Sequence, residues 1–417
     1  MSKIKPERVT IIGAGIVGIC TALSLLEKGY AVNIIDRDRP AEGASHGNAG
    51  VISPWSCVPQ STPGLWKDIP KWTLDPEGPI ALRWGYLFKF MPWVIKFLRA
   101  GNIENLPMIG DAMSALNRPN VDLYRRHLDG TGHEDLLRDS LYVHVYKSPT
   151  GVNLNQLGWR MRSERDVPLQ VVNEGELHEI EPALSPDYKS AVLIKGQARA
   201  LNPGAIGKAL FEKALSMGAT YKQLAVKQIS PTENGSWRLH TENGEMSADK
   251  LVIAAGAWSA RLLAPLGIKL PLEAERGYHV VFKDPNITVN NSIMDTEGKF
   301  VASSMQAGVR CAGTAEFAGL DAPPDYRRAK VFKRLATNLF PNINVDNGIE
   351  WMGTRPSFPD SLPCLGEVVG QPNLFSAFGH SHYGFGMAPN TGRIVAELVS
   401  GQTPNIDLQP YRTERFQ

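Results

Sequence analysis

Residues 11–18 read IIGAGIVG, which sets glycines at 13, 15 and 18. Between a strand and a helix, that spacing suits a dinucleotide. Gly13 permits the tight turn, Gly15 lets the backbone approach a pyrophosphate at the helix N-terminus, and Gly18 lets helix and strand lie close. Asp36 ends the next apolar run, where a carboxylate can accept hydrogen bonds from a ribose diol. Ile16, Val17 and Arg37 flank these positions and join the candidate cofactor set. A second chemistry-bearing stretch follows as GASHGNAGVISPW, 43–55. Its small residues allow close backbone approach to a cofactor. Ser45 and Asn48 offer hydrogen bonds, Ala49 and Gly50 leave room, and His46 brings one imidazole.

These side chains need a frame. Val9–Ile12 is a β-rich run, 15–28 has helical character with Gly29 as its C-cap, and Ala31–Ile35 is a second apolar strand. That order is a βαβ unit with a parallel sheet. From 54 to about 75 the pattern dissolves into Pro, Trp and Ser, and mostly helical patterns follow to about 137. Asn202-Pro203 starts another helix, Asn as N-cap and Pro at the first helical position, running to about 216. Turn signals at 233–235 and 242–244 predict an antiparallel meander, and 251–254 is a buried strand running into AlaGlyAlaTrpSer. Antiparallel strands are expected near 278–282, 300–303 and 308–311, a basic helix over 325–339, a strand at 374–377 and a last helix at 391–400. The βαβ pieces lie at the start, middle and end, so the nucleotide domain is expected to be discontinuous.

Length and composition bound the function. The 417 residues allow two or three domains, and 44 basic against 42 acidic side chains leave a net charge of only +2. That balance gives no electrostatic case for nucleic acid, although Arg327, Arg328, Lys330, Lys333 and Arg334 form one dense basic run. An RNA-modifying flavoprotein, the reading that run would favour, is the different-class alternative. Cys20, Cys57, Cys311 and Cys364 are scattered, so neither a metal site nor a disulfide framework is expected. Residues 1–8 do not fit a signal peptide, and no stretch is long and apolar enough to span a membrane, which makes the cytoplasm the default compartment. Residues 82–101, LRWGYLFKFMPWVIKFLRAG, carry Trp, Phe and Leu with only basic charges. Two readings stand: an interfacial helix on an anionic membrane surface, or an internal amphipathic helix that Pro92 kinks or splits.

A single GxGxxG with later strand-glycine returns suits one extended cofactor touched by separated segments, FAD rather than NAD. The sequence resembles the D-amino acid oxidase superfamily of flavoproteins, and within it the bacterial D-amino acid dehydrogenases of small-subunit type. The resemblance rests on IIGAGIVG…IIDRD (11–38), NAGVISP (48–54), NPGAIGKAL (202–210), VIAAGAWS (252–259), RGYHV (276–280), GTAEFAG (313–319), GTRPSFPDSLPCLG (353–366) and GHSHYGFGMAPNTGR (379–393).

It implies an α/β architecture: a Rossmann-like FAD domain from 1–54, 199–270 and 350–417, and an α+β substrate domain on an antiparallel sheet from 55–198 and 271–349. It also implies a non-covalent FAD. Some related amine dehydrogenases tether FAD to a histidine in the 43–55 loop, but His46 is one place out of register for that. The implied cofactor set extends to Val226, Gly256, Trp258, Gly384, Phe385, Gly386 and Met387, with 384–390 ahead of the last helix. Arg355 matches the arginine that grips the substrate carboxylate, and a planar guanidinium can do so with two parallel hydrogen bonds. Tyr278, His382 and Tyr383 are the further catalytic candidates, with His279 and His380 as possible pocket walls. The implied reaction is oxidation of an amino acid at Cα, with electrons passing to a quinone or carrier, an acceptor that would suit the peripheral membrane contact read from the composition of 82–101. An oxidase, or an enzyme for cyclic or N-methyl amino acids, is the alternative.

Overall fold

The computed structural model describes residues 7–75 and 77–416; Met1–Pro6, most of the stretch weighed as a signal peptide, lies outside them. The fold is mixed α/β. A six-stranded sheet runs in the order Cys364–Glu367, Leu374–Phe378, Lys250–Ile253, Arg8–Ile12, Ala31–Asp36, Thr220–Gln223. All its neighbours pair parallel except the first two. Alternation along the strands buries both faces. Val9, Ile11, Val32 and Ile34 pack on the helices Ile16–Glu27, Pro203–Ser216 and Gly384–Val399. Ile12, Ile35, Leu251 and Ile253 pack on the expected antiparallel meander, Val226–Pro231, Trp237–Thr241 and Gly244–Ala248.

A larger sheet runs Gly348–Ser357, Glu273–Phe282, Gly308–Phe317, Phe300–Met305, Ser292–Asp295, Leu137–Tyr146, Ser190–Ala200, Val51–Ile52. The helix Arg327–Leu339 backs it through Ala329, Phe332 and Ala336, while Arg327 pairs with Asp325 and Arg334 with Glu77. Apart from the half-buried Arg328, which donates to the Gly78 carbonyl, the dense basic run is thus the outer side of an amphipathic helix. The Arg355 strand belongs to this sheet, although the division drawn from the sequence assigned 350–417 to the nucleotide unit.

Local chemistry explains several boundaries. Asn202 Oδ1 accepts from the Ala205 amide (3.0 Å) with Pro203 at the first helical position, and the helix runs to Ser216. The last helix starts at Gly384, not near 391, so 384–390 are its first turns rather than a preceding loop. Pro389 lies inside it and has no N–H to give the Phe385 carbonyl, which instead accepts from the Tyr124 hydroxyl. Tyr124 also stacks on Phe385 at 5.3 Å. Pro92 likewise fails to split its helix, which is continuous over Leu87–Ala100. Phe90 and Trp93 of that helix bury against Phe317, while Phe88 (89 % exposed), Met91 and Ile95 face outward beside exposed Lys89, Lys96 and Arg99. Trp84 (70 % exposed) adds to this outer face. Among the described residues no helix is long and apolar enough to cross a membrane. All four cysteines are buried and free.

Candidate active site

One cleft of about 720 Å³ runs from the glycine turn to the large sheet. At the turn, space is made by missing side chains. A Cβ at Gly13 (φ +120°) would lie 2.3 Å from the Ala254 carbonyl oxygen, and one at Gly18 would lie 1.9 Å from that of Gly13. Gly15 caps the helix with no side chain of its own; Ser45 Oγ, from the 43–55 loop, accepts from the Ile16 amide at 3.0 Å. Asp36 accepts from the amides of Ala14 (2.6 Å) and Asp38 (3.0 Å). Burial raises its pKa, and those two amides act against the rise. The Arg37 guanidinium lies 3.8 Å over the Trp258 ring, giving this end a flat cationic-aromatic wall.

The cleft lining includes Gly13, Gly15, Ile16, Val17, Asp36, Arg37, Ser45, Asn48, Ala49, Val226, Gly256, Trp258, Gly384, Phe385 and Gly386. Of the sequence-derived cofactor set, Gly18, His46, Gly50 and Met387 lie off the lining. Gly18 serves the helix–strand contact, and Met387 is in the core under the helix. Gly50 has φ +81° and leaves no room for a Cβ against the Ala200 carbonyl. The His46 ring packs against Gly204, where a Cβ would come within 2.4 Å of Nδ1, and near Trp351 (6.1 Å between rings). A helix N-terminus capped by a glycine, an acid at the following strand end and this length of cleft fit FAD. The residues named on the lining would hold it.

At the other end, space is filled with charge. Glu275 and Arg355 face each other on paired antiparallel strands, and Nη1 of Arg355 donates to Oε1 of Glu275 at 2.7 Å. His382 Nε2 meets the same carboxylate oxygen. Ser357 Oγ donates to Oε2 at 2.8 Å, and the Gln60 side-chain nitrogen lies 2.8 Å from His382 Nε2. Burial alone would raise the Glu275 pKa. The facing His382 and Arg355, with hydrogen bonds from His382 and Ser357, outweigh it and hold the carboxyl well below the usual range. Arg355 crosses its neighbour strand at Gly277, where a Cβ would lie 2.2 Å from Nη2. Among the described residues, Nε and Nη2 of Arg355 have no protein acceptor. That leaves one edge of the fork open to the cleft.

Tyr383 lines the cleft and donates to the Val58 carbonyl at 2.8 Å. Tyr278 borders it, but its hydroxyl donates to Glu316 (2.6 Å) and accepts from the Asp325 amide (2.9 Å). Burial and that hydrogen bond push Tyr278 up to about 12. His279 stacks on Trp351 at 5.0 Å, its Nδ1 is 3.1 Å from the Gly47 carbonyl, and burial lowers its pKa to about 3. His380 is buried, with Nε2 3.0 Å from Thr391 Oγ1. Glu275, Gln60, Gly277 and Trp351 were absent from the sequence-derived set; their roles depend on strand register and loop approach, which no local motif carries. Among the described residues no group of His, Cys, Asp and Glu forms a metal site.

Comparisons with known proteins give the family. The chain is 38% identical to a D-amino-acid oxidase of Bradyrhizobium diazoefficiens, over 98% of this chain and 99% of the relative. It is 27% identical to a D-amino acid dehydrogenase of Allorhizobium ampelinum, over 98% of each chain. Its fold matches an L-proline dehydrogenase from P. horikoshii with a TM-score of 0.75 at 20% identity, covering 99% of this chain and 98% of that one. A glycine oxidase from Geobacillus kaustophilus matches with a TM-score of 0.73 at 23% identity, covering 98% of each. The DAO family, FAD dependent oxidoreductase, matches residues 8–398. With the glycine turn, the acid of the second strand and the cleft that continues to Arg355, this chain belongs to the DAO family of FAD-dependent oxidoreductases.

Proposed function

We propose that the chain oxidises the Cα–N bond of an amino acid, D-configured as in the names of its relatives, and hands the electrons to a quinone or carrier. The observation that carries this reading is the open edge of Arg355 in the same cleft as the glycine turn. Bound FAD supplies the acceptor for a hydride from the substrate α-carbon. The chain's own residues do the positioning. Nε and Nη2 of Arg355 take the α-carboxylate side-on, while Glu275 holds Nη1 and fixes the plane of the fork. His382, ordered by the same carboxylate, and Tyr383, tied to the Val58 carbonyl, wall the space beside it. The amine reacts uncharged after giving a proton to solvent, and water hydrolyses the resulting imine to a keto acid and ammonia. A cyclic substrate would stop at the cyclic imine. The N-terminus of the Gly384–Val399 helix lies at the cleft, where its amides favour negative charge.

Oxygen as acceptor is the second reading, favoured by the relative at 38% identity that is named an oxidase. Anaerobic mixing of the yellow enzyme with D-, L-, cyclic and N-methyl amino acids tests the substrate, with bleaching expected for D-amino acids. Re-oxidation by a quinone analogue faster than by air supports the first acceptor; the reverse order supports the second. The outer face of Leu87–Ala100 supports a peripheral contact with an anionic membrane. The protein is expected to sediment with phosphatidylglycerol vesicles and Phe88→Asp to stay in the supernatant; equal sedimentation of both removes that contact.

A further inference from the structure

The cleft holds a second group of cationic side chains that the reading above leaves unused. Arg162, Lys299 and His144 all line it. They come from the Leu157–Ser163 helix, the turn before Phe300–Met305 and the strand Leu137–Tyr146. Arg162 donates to the Gly158 carbonyl at 3.0 Å and lies 4.9 Å over the Trp159 ring, and its Nε is buried without an acceptor. Lys299 is exposed, and its side chain makes no hydrogen bond or ion pair among the described residues. The His144 ring lies edge-on to Trp159 at 5.0 Å and to Tyr142 at 4.5 Å, and its Nε2 is buried with no partner. Burial, then the charges of Arg162 and Lys299, hold His144 well below its ordinary pKa, so the ring is neutral.

This group differs from the Arg355 end in one respect: no carboxylate answers it. Glu275 compensates Arg355, whereas neither Arg162 nor Lys299 is ion-paired among the described residues. Nε of Arg162 and Nε2 of His144 are buried without a partner, which is costly unless a hydrogen-bonding group arrives with the ligand, while the exposed Lys299 adds charge at the rim. A pyrophosphate belongs on the glycine turn of the six-stranded sheet, whereas His144 stands on the larger sheet and Lys299 in a turn of it. The substrate's α-carboxylate is already placed on Arg355. Tyr383 joins the two groups: burial pushes its hydroxyl up to about 12, and both Arg162 and Glu275 act on it.

We infer that Arg162, with Lys299 and the buried Nε2 of His144, forms a second anion subsite that selects amino acids carrying a side-chain carboxylate. The assignment to amino acids rests on the proposed function; the subsite itself does not. Arg355 and Arg162 then hold the two ends of a dicarboxylic substrate, and Tyr142 and Tyr383 line the same cleft.

The oxidised holoenzyme is titrated at low salt with saturated dicarboxylates (succinate, glutarate) and with monocarboxylates of equal length, following the visible flavin spectrum. Dicarboxylates are expected to bind on the order of ten-fold tighter or more, as for one added charge-assisted contact. Arg162→Met is expected to bring that ratio close to one, and Arg162→Lys to keep part of it. Equal binding of the two acid types by the wild type overturns the subsite, as does an Arg162→Met variant that weakens both alike. Flavin bleaching by D-aspartate and D-glutamate is then compared with D-asparagine and D-glutamine. Faster bleaching by the acids supports the subsite, and equal bleaching by acids and amides overturns it while leaving the amino-acid reading intact. Selective dicarboxylate binding with no bleaching by any amino acid overturns the proposed function and leaves the subsite standing.

Discussion

The two ends of the cleft solve different problems. At the glycine turn the ligand must come close to backbone, so the chain removes side chains: a methyl group at 13 or 18 would strike a carbonyl oxygen of the fold itself. Around Glu275 the ligand must be oriented, so the chain supplies opposed charges and spends desolvation to fix them. The first end tolerates almost no added volume. The second tolerates volume better than any change in charge.

Gly18→Ala gives the largest test of that contrast. Its Cβ meets backbone, which cannot swing aside, so the purified protein is expected to lose its yellow colour, with flavin content down more than about ten-fold. A yellow variant would break the shape argument. Next comes Arg355→Ala, which keeps its flavin but loses roughly 100-fold in kcat/KM, chiefly through KM; Arg355→Lys recovers little because the fork is lost. Steady-state kinetics on the best substrate measure both.

Glu275→Gln is expected to cost roughly 2 kcal/mol of unfolding free energy near pH 7, since it leaves Arg355 without its counter-charge and weakens the contact to His382. Because the folded pKa of Glu275 is depressed, its stabilisation is fully present above the unfolded value of 4.5 and is lost as pH falls below it. Urea titrations across that window should show the two proteins converging at acid pH. Smallest is Gly277→Ala. The added methyl meets the far end of Arg355, which can shift, so KM should rise about three- to ten-fold with little change in Tm.

Legibility divides along the same line. Gly13, Gly15, Gly18 and Asp36 lie within one βαβ unit, so their spacing alone speaks for their geometry. The Asn202-Pro203 helix start is equally local. Glu275 and Arg355 are eighty residues apart and meet only through strand register, which a one-residue slip would undo. His46 and Met387 sit among cofactor-lining neighbours, yet adjacency in sequence does not say which way a side chain faces. The last helix reads as a loop over 384–390 because of its glycines and Pro389; the Tyr124 hydroxyl that satisfies the freed carbonyl comes from far upstream. Arg162, Lys299 and His144 carry no motif at all and are joined only where a helix, a turn and a strand meet at the cleft.

The strand order of the six-stranded sheet has a consequence for biosynthesis. Arg8–Ile12 is made first, but it pairs with Lys250–Ile253, which pairs with Leu374–Phe378. The glycine turn rests on Ala254, and Gly384–Gly386 close the same cleft. A chain growing from its N-terminus therefore displays the dinucleotide motif long before it owns the site. Flavin capture waits for the last strand and helix to dock, and a chain stopped before residue 374 should leave the ribosome colourless.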